Sequence, residues 1–285
     1  MNRRIWLQSL AAASALPAAV ETAQPPARLK SAICAYSFRQ ELQTNSMSYE
    51  DLVRLCAELE VDGLDMTVYW LPSTSDAYLM PLRRLAYRSG IDIYSISVRT
   101  DLCKPPAEQE KELALVKGWV DVAAKVGARH IRVFGGNVPK TSSENEAAGW
   151  VVELLKRASD YSGSKGVLLG LENHGGITEK AERIVDIIKR VDSPWVGINL
   201  DTGNFHSDVY RQIELCVPYA VNVQLKERVR VAGKVEESDW ARVTAMLRKA
   251  GYKGYLALEY EEQEPAPTAV RRLVAKLRRT IGQVS

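Results

Sequence analysis

The four cysteines of this chain, Cys34, Cys56, Cys103 and Cys216, include no C-x-x-C pair, which argues against a zinc site or a thioredoxin-like redox motif. Cys34 and Cys56 fall on an expected strand and an expected helix, where a buried free thiol is the usual fate, so no essential disulfide is expected. No apolar run reaches the roughly 20 residues that a membrane span needs. Nor does one charge dominate: 38 Lys and Arg against 35 Asp and Glu leave a formal net charge of +3 over 285 residues. The basic residues form no run interleaved with aromatics, and this balance gives no support to a nucleic-acid partner. A G-x-G-x-x-G loop after an early strand, the phosphate cradle of an open doubly wound sheet, is also missing.

The chain begins Met1-Asn2-Arg3-Arg4-Ile5-Trp6-Leu7-Gln8 and continues through an Ala-rich stretch, residues 9–20. A twin arginine ahead of a short, mildly apolar segment of small residues resembles a bacterial Tat export signal. Residues 1–26 are therefore expected to be signal peptide and linker, with cleavage near Ala19 or Ala23. The expectation that follows is a periplasmic or otherwise exported protein whose single folded domain occupies residues 27–285.

From Leu29 onward, short apolar runs alternate with amphipathic segments eight times over. The runs 31–38, 63–69, 92–99, 130–134, 167–173, 196–200, 220–225 and 255–259 are rich in β-branched residues or leucine and bounded by Gly or polar residues, as strands are. Between them, segments 48–59, 107–126, 146–161, 179–191 and 239–250 carry apolar residues at three- and four-residue spacing, and a last helix, 267–281, follows the eighth run. Ser48 and Thr178 read as helix starts; Gly90, Gly127 and Gly251 read as stops. This alternation implies parallel pairing through right-handed crossovers. Eight repeats without a second composition regime favour an α/β fold closed as a (β/α)8 barrel over an open sheet.

In such a barrel alternate strand residues point inward, and chemistry sits at the C-terminal strand ends. Parallel strands buried on both faces read as nearly continuous apolar sequence, so polar residues at every second position need a reason. By this parity Glu172 and His174 share a face of the fifth strand, and Asn199 and Asp201 one of the sixth. Asn222, Gln224 and Lys226 share a face of the seventh, and Glu259 and Glu261 one of the eighth. With Glu172, Asp201, Gln224 and Glu259 all inward, three carboxylates converge with one amide. Repulsion and desolvation both oppose three ionised carboxylates in a low-dielectric pocket, and a divalent cation is the simplest compensation. An all-oxygen set, with Gln224 binding through its carbonyl, favours Mn2+ or Mg2+ over Zn2+, with Co2+ as a substitute. His174 and Lys226 are candidate substrate contacts. Arg132 and Asp65 reach toward the pocket or form structural pairs within the barrel. Tyr69 and Trp70 wall the site or cap the core, His206 reads as a loop residue, and His130 as structural.

The segments Leu171-Glu172-Asn173-His174, Leu200-Asp201-Thr202-Gly203-Asn204, Gln224-Leu225-Lys226-Glu227 and Leu258-Glu259 resemble those of the xylose-isomerase-like barrel superfamily, in its sugar-phosphate isomerase/epimerase branch, and the resemblance spans the chain after Leu29. It implies metal ligands at Glu172, Asp201, Gln224 and Glu259, as in ketose 3-epimerases, with Glu172 and Glu259 as acid and base on opposite faces of the substrate. A metal held on a carbonyl and its neighbouring hydroxyl acidifies the adjacent C–H, so that one carboxylate takes the proton and the other returns it. The chain departs from the pattern at Gln224, where His is common, at Asn204, where the epimerases carry a substrate-contacting His, and at Thr178, where they carry an acid. Arg230 matches an Arg six positions after the seventh-strand ligand, which makes it a further candidate substrate contact beside Asn204.

Three functions suit these residues. The first is a metal-dependent isomerase or epimerase acting on a sugar or keto-sugar. The second is a lyase or dehydratase acting on a keto sugar or cyclic keto acid, since relatives such as 3-dehydroshikimate dehydratases tolerate a Gln ligand. The third is a non-catalytic exported sugar-binding barrel. An apurinic endonuclease, another occupant of the superfamily, holds several zinc ions through many histidines, and this chain has three. The expected partner is a small carbohydrate or keto acid; the oligomeric state stays open, a homodimer or tetramer included.

Overall fold

Strands β1 (Lys30–Cys34), β2 (Gly63–Thr67), β3 (Asp92–Ser97), β4 (His130–Phe134), β5 (Leu168–Glu172), β6 (Val196–Asp201) and β7 (Ala220–Lys226) are joined by helices, and a short hairpin of β8 (Arg228–Val231) and β9 (Lys234–Glu237) precedes β10 (Tyr255–Glu259). In the computed structural model, which describes residues 28–284, the eight long strands pair in the order β1-β10-β7-β6-β5-β4-β3-β2. All these pairings are parallel, and β1 also pairs with β2, which closes the barrel. The fold is therefore a (β/α)8 barrel. The Tat-like segment lies outside the described residues.

Around the barrel run α1 (Arg39–Gln43), α2 (Tyr49–Glu58), α3 (Asp76–Arg88), α4 (Gln109–Val126), α5 (Glu144–Ser164), α6 (Ala181–Val191), α7 (Val209–Cys216), α8 (Trp240–Lys249) and α9 (Ala266–Thr280). The longer helices bury an apolar stripe: α4 buries Leu113, Val116, Val120 and Ala123, and α9 buries Val270, Leu273, Val274 and Leu277. Reciprocal capping boxes start α2, at Ser48 and Asp51, and α5, at Ser143 and Glu146. Gly127 ends α4 at a φ of 94°, a left-handed conformation that glycine adopts without a Cβ clash. All four cysteines are buried free thiols.

Several expectations are corrected. The first strand stops at Cys34, and Ala35–Phe38 forms a 3-10 turn. Ser37 supplies the link that the backbone would have made: its hydroxyl donates to the Leu258 carbonyl at 3.1 Å and accepts from the Tyr260 amide at 2.9 Å. Thr178 closes a turn rather than starting α6, which begins after Lys180 with the Ala181 amide donating to Gln212 Oε1 at 3.0 Å. Helix α3 was not legible because Pro81 interrupts its interior. The β8–β9 hairpin turns on Ala232 and Gly233, both at positive φ, without the Asn-Gly pair that usually announces such a turn.

The interior of the barrel is a stack of small and polar layers. Tyr94 and Tyr255 stack at its base with centroids 3.7 Å apart. Ala32, Cys34 and Ala257 pack with them as a cluster separate from the main core. Above lies a buried polar layer in which Asn222 Nδ2 donates to Asn199 Oδ1 at 2.8 Å and to Asp65 Oδ2 at 3.2 Å, while the Tyr94 hydroxyl donates to Asn222 Oδ1 at 3.0 Å. Small residues make room for these groups. A methyl group at Gly170 would collide with His130 Nε2 and press on Asn199 Cβ. Gly170→Ala is expected to destabilise the protein by about 1–3 kcal/mol, read as a lower midpoint of urea unfolding; an unchanged midpoint would show that the interior has slack.

Candidate active site

A cavity of about 160 Å3 opens at the C-terminal mouth, and each of the eight barrel strands contributes to its lining at or just past its end. Tyr36 follows β1, Tyr69 follows β2 and Arg99 follows β3; Arg132 comes from β4, Glu172 from β5, Asp201 from β6, Lys226 from β7 and Glu259 from β10. Inward parity at the strand ends brings these side chains to one place.

Two cations stand among the acids. Arg132 Nε lies 2.9 Å from Glu172 Oε2, with both side chains 4% exposed. That approach is an ion pair without hydrogen-bond alignment. The guanidinium is fixed from behind by Nη1 donating to the Val98 carbonyl at 3.3 Å, and it stacks 4.0 Å over the Phe134 ring. Lys226 Nζ lies 3.2 Å from Asp201 Oδ2, 3.5 Å from Glu259 Oε1 and 2.6 Å from Glu261 Oε2.

Burial outweighs this attraction. Desolvation pushes the Glu172 carboxyl up to about 8 and Glu259 up to about 7; the neighbouring acids add to both, while Arg132 and Lys226 oppose the rise. Asp201 is raised by the same burial, against Lys226 and the Gly203 amide, which donates to its Oδ1 at 2.7 Å. Burial and Arg132 hold His174 below the usual imidazole range, and its ring lies 4.2 Å from that of Phe134. Asn204 Nδ2 donates to Glu172 Oε1 at 3.1 Å.

The sequence-derived candidates thus divide. Glu172, Asp201, Glu259, His174, Lys226, Asn204 and Arg132 all line the cavity. Gln224 lies beneath it: Oε1 accepts from Asn199 Nδ2 at 2.7 Å, and Nε2 donates to Asp65 Oδ2 at 3.3 Å and Cys34 Sγ at 3.6 Å. Strand stagger is the cause, since β7 sets Lys226 opposite Glu259 and Gln224 opposite Ala257. Arg230 is corrected as a site residue; it sits exposed on β8 and donates to the Gly233 carbonyl at 3.1 Å, closing the hairpin. Trp70 stacks on Tyr36 behind the cavity wall, centroids 6.0 Å apart. His206 is exposed outside it. Sequence reading did not single out Tyr36, Arg99 or Phe134. Tyr36 shares strand parity with Cys34, and Arg99 ends the expected third strand, so position alone was the available signal.

Among the described residues, no group of three or more His, Cys, Asp or Glu side chains is placed to hold a metal ion. The donor chemistry nevertheless fits a hard cation. Three carboxylates face one cavity, and Glu259 keeps a buried oxygen, Oε2, without a hydrogen-bond partner among the described residues.

Arg132→Met is expected to remove about 3–5 kcal/mol of stability by leaving the Glu172 carboxylate buried and unpaired. The charge contribution sets in above pH 8, because below it a proton already neutralises Glu172 in the folded protein. Denaturant unfolding across pH should show the loss growing as pH rises, and the double substitution Arg132→Met/Glu172→Gln should recover much of it.

Over residues 53–280 the sequence matches the family described as xylose isomerase-like TIM barrel. No curated protein sequence matches it. Among solved structures, D-psicose 3-epimerase from Clostridium cellulolyticum H10, determined with D-tagatose, is similar at TM-score 0.73 and 18% identity, covering 88% of this chain and 99% of that one. The probable 3-DHS dehydratase of petrobactin synthesis from Bacillus anthracis is similar at 0.67 and 17%, covering 87% and 98%. A xylose isomerase-like TIM barrel protein from Mycobacterium smegmatis in complex with magnesium is similar at 0.68 and 17%, covering 90% and 96%. Identities this low show a shared fold. With the family match over most of its length, the chain belongs to the xylose isomerase-like TIM barrel family.

Proposed function

We propose that the protein is a divalent-metal-dependent isomerase or epimerase that moves a proton beside the carbonyl of a sugar or keto-sugar. The observation that carries this reading is the pair Glu172 and Glu259, set across one small buried cavity with β6 and β7 between their strands. Both carboxyls are raised toward neutrality by burial, which suits groups that must hold and release a proton near pH 7. Glu259, with an unpartnered Oε2, would take a proton from one face of the substrate bound in its free-carbonyl form. Glu172, oriented by Arg132 and Asn204, would return one from the other. Glu172, Asp201 and Glu259 would hold a Mn2+ or Mg2+ ion, which the Gln224 carbonyl would join only by giving up its hydrogen bond from Asn199; such an ion supplies the polarisation that makes a C–H beside a carbonyl acidic. At about 160 Å3, the cavity is smaller than the roughly 300–1,000 Å3 typical of drug-sized ligands and suits a single sugar ring. Tyr36 and Tyr69 offer it aromatic faces. The twin-arginine start supports an exported enzyme and, with it, a substrate without phosphate.

A lyase acting on a keto sugar or cyclic keto acid is the second reading, favoured by one observation. Arg99 is exposed at the cavity rim, 4.1 Å over the Tyr69 ring, without a carboxylate partner within salt-bridge distance among the described residues. A substrate carboxylate would pair with it. Elimination begins with the same proton removal, and an ultraviolet-absorbing enone product separates it from epimerisation.

Glu259→Gln is expected to abolish turnover of keto sugars with the fold intact by circular dichroism; unchanged turnover would exclude Glu259 as the base. Protein purified without chelator should carry about one divalent ion per chain by mass spectrometry, lost in Glu172→Ala. Metal-free protein with no thermal shift on adding Mn2+ or Mg2+ would refute the metal-dependent reading. Sugar-induced thermal shifts without turnover would point to a binding protein instead.

A further inference from the structure

We propose that Lys226 is the resident counter-ion of the metal-free site, and that a divalent cation enters by displacing its ammonium outward onto Glu261. The inference rests on the reading of Glu172, Asp201 and Glu259 as the residues that hold the metal. Lys226 Nζ reaches Asp201 Oδ2 at 3.2 Å and Glu259 Oε1 at 3.5 Å, so it draws on two of the three carboxylates that a metal would use. Two cations cannot share those oxygens at such distances without strong repulsion.

Which cation yields is set by how each is held. The Arg132 guanidinium is clamped on its edge by the Val98 carbonyl and on its face by the Phe134 ring. Lys226 is fixed only at its root. Its amide donates to Thr202 Oγ1 at 3.0 Å, and its carbonyl accepts from Trp240 Nε1 at 2.8 Å. The stem runs along Gly203, where any side chain would collide with Lys226 Cγ. Beyond that point a flexible chain ends in a point charge with three rotatable donors and no planar geometry to satisfy. Nothing but the carboxylates retains the tip.

Glu261 gives the displaced ammonium a place to go. Its Oε2 is the acid oxygen nearest Nζ, at 2.6 Å, and its side chain is 40% exposed against 2% for Asp201 and 8% for Glu259. A short swing therefore carries the charge from the buried floor toward solvent while one ion pair is kept. Parity puts Glu261 on the face of Glu259, and register puts Lys226 opposite Glu259. The three residues are brought together by the strands themselves, and the arrangement keeps the acids neutralised while the metal is away.

The test is calorimetric titration of MnCl2 into chelator-treated full-length wild type, Lys226→Met, Glu261→Gln and the double variant, with thermal unfolding of each. Lys226→Met is expected to bind Mn2+ on the order of tenfold more tightly than wild type, as for charges in direct contact. Its metal-free form should melt lower and its Mn2+-induced rise should be larger. Glu261→Gln should weaken Mn2+ binding several-fold in wild type and far less once Lys226 is gone. Affinity of Lys226→Met within about twofold of wild type, or an equal effect of Glu261→Gln in both backgrounds, overturns the displacement and leaves the proposed function standing. Absence of Mn2+ binding in wild type and all variants overturns both. Should Lys226→Met fail to fold, an unchanged affinity in Glu261→Gln alone overturns the displacement.

Discussion

Three carboxylates buried at the mouth of a closed barrel are the constraint around which the rest of this molecule is arranged. Glu172, Asp201 and Glu259 are each almost wholly removed from water, and burial raises all three carboxyls above their ordinary range, so that their charge must be met on the spot. The protein answers with Arg132 and Lys226 rather than with a looser mouth. Those cations in turn require anchors: the Val98 carbonyl and the Phe134 ring for one, Thr202, Trp240 and Gly203 for the other. Much of what lies at the strand ends is there because the acids are.

The same constraint extends downward. A barrel of this size is ordinarily filled by branched apolar side chains in layers. Here Asp65, Asn199, Asn222 and Gln224 form one hydrogen-bonded layer below the acids. Such a layer is stable only when nearly every donor and acceptor is matched. Matching also fixes the amides: Asp65 takes the Nε2 side of Gln224, and so the carbonyl is turned toward Asn199. The floor orients the mouth through Asn199, whose Nδ2 also approaches Glu172 Oε2 at 3.4 Å.

Much of this could be read from the sequence, for a physical reason. A strand buried on both faces should be apolar, so alternating polar residues in and just past the runs at 167–173, 196–200, 220–225 and 255–259 stand out against that expectation, and with them Glu172, Asp201, Glu259, His174 and Lys226. What escaped depends on relations between strands. The stagger that sets Lys226 rather than Gln224 beside Glu259 is a property of barrel closure that no single segment encodes. Arg230 was misplaced because a fixed offset from Gln224 ran past the strand end into a hairpin whose Ala232-Gly233 turn carries little signal. Tyr36 was assigned to a strand because a serine hydroxyl, that of Ser37, completes the sheet where backbone was expected.

The stacked Tyr94 and Tyr255 rings at the base of the barrel have a bearing on how the interior meets the solvent. With both rings buried or half-buried and tied by their hydroxyls, one to Asn222 and the other to Asp92, they close the base of the barrel beneath the packed polar layer. Among the described residues its outlet is the mouth. A ligand seated there would stand between the buried acids and bulk water, serving as occupant and cover at once.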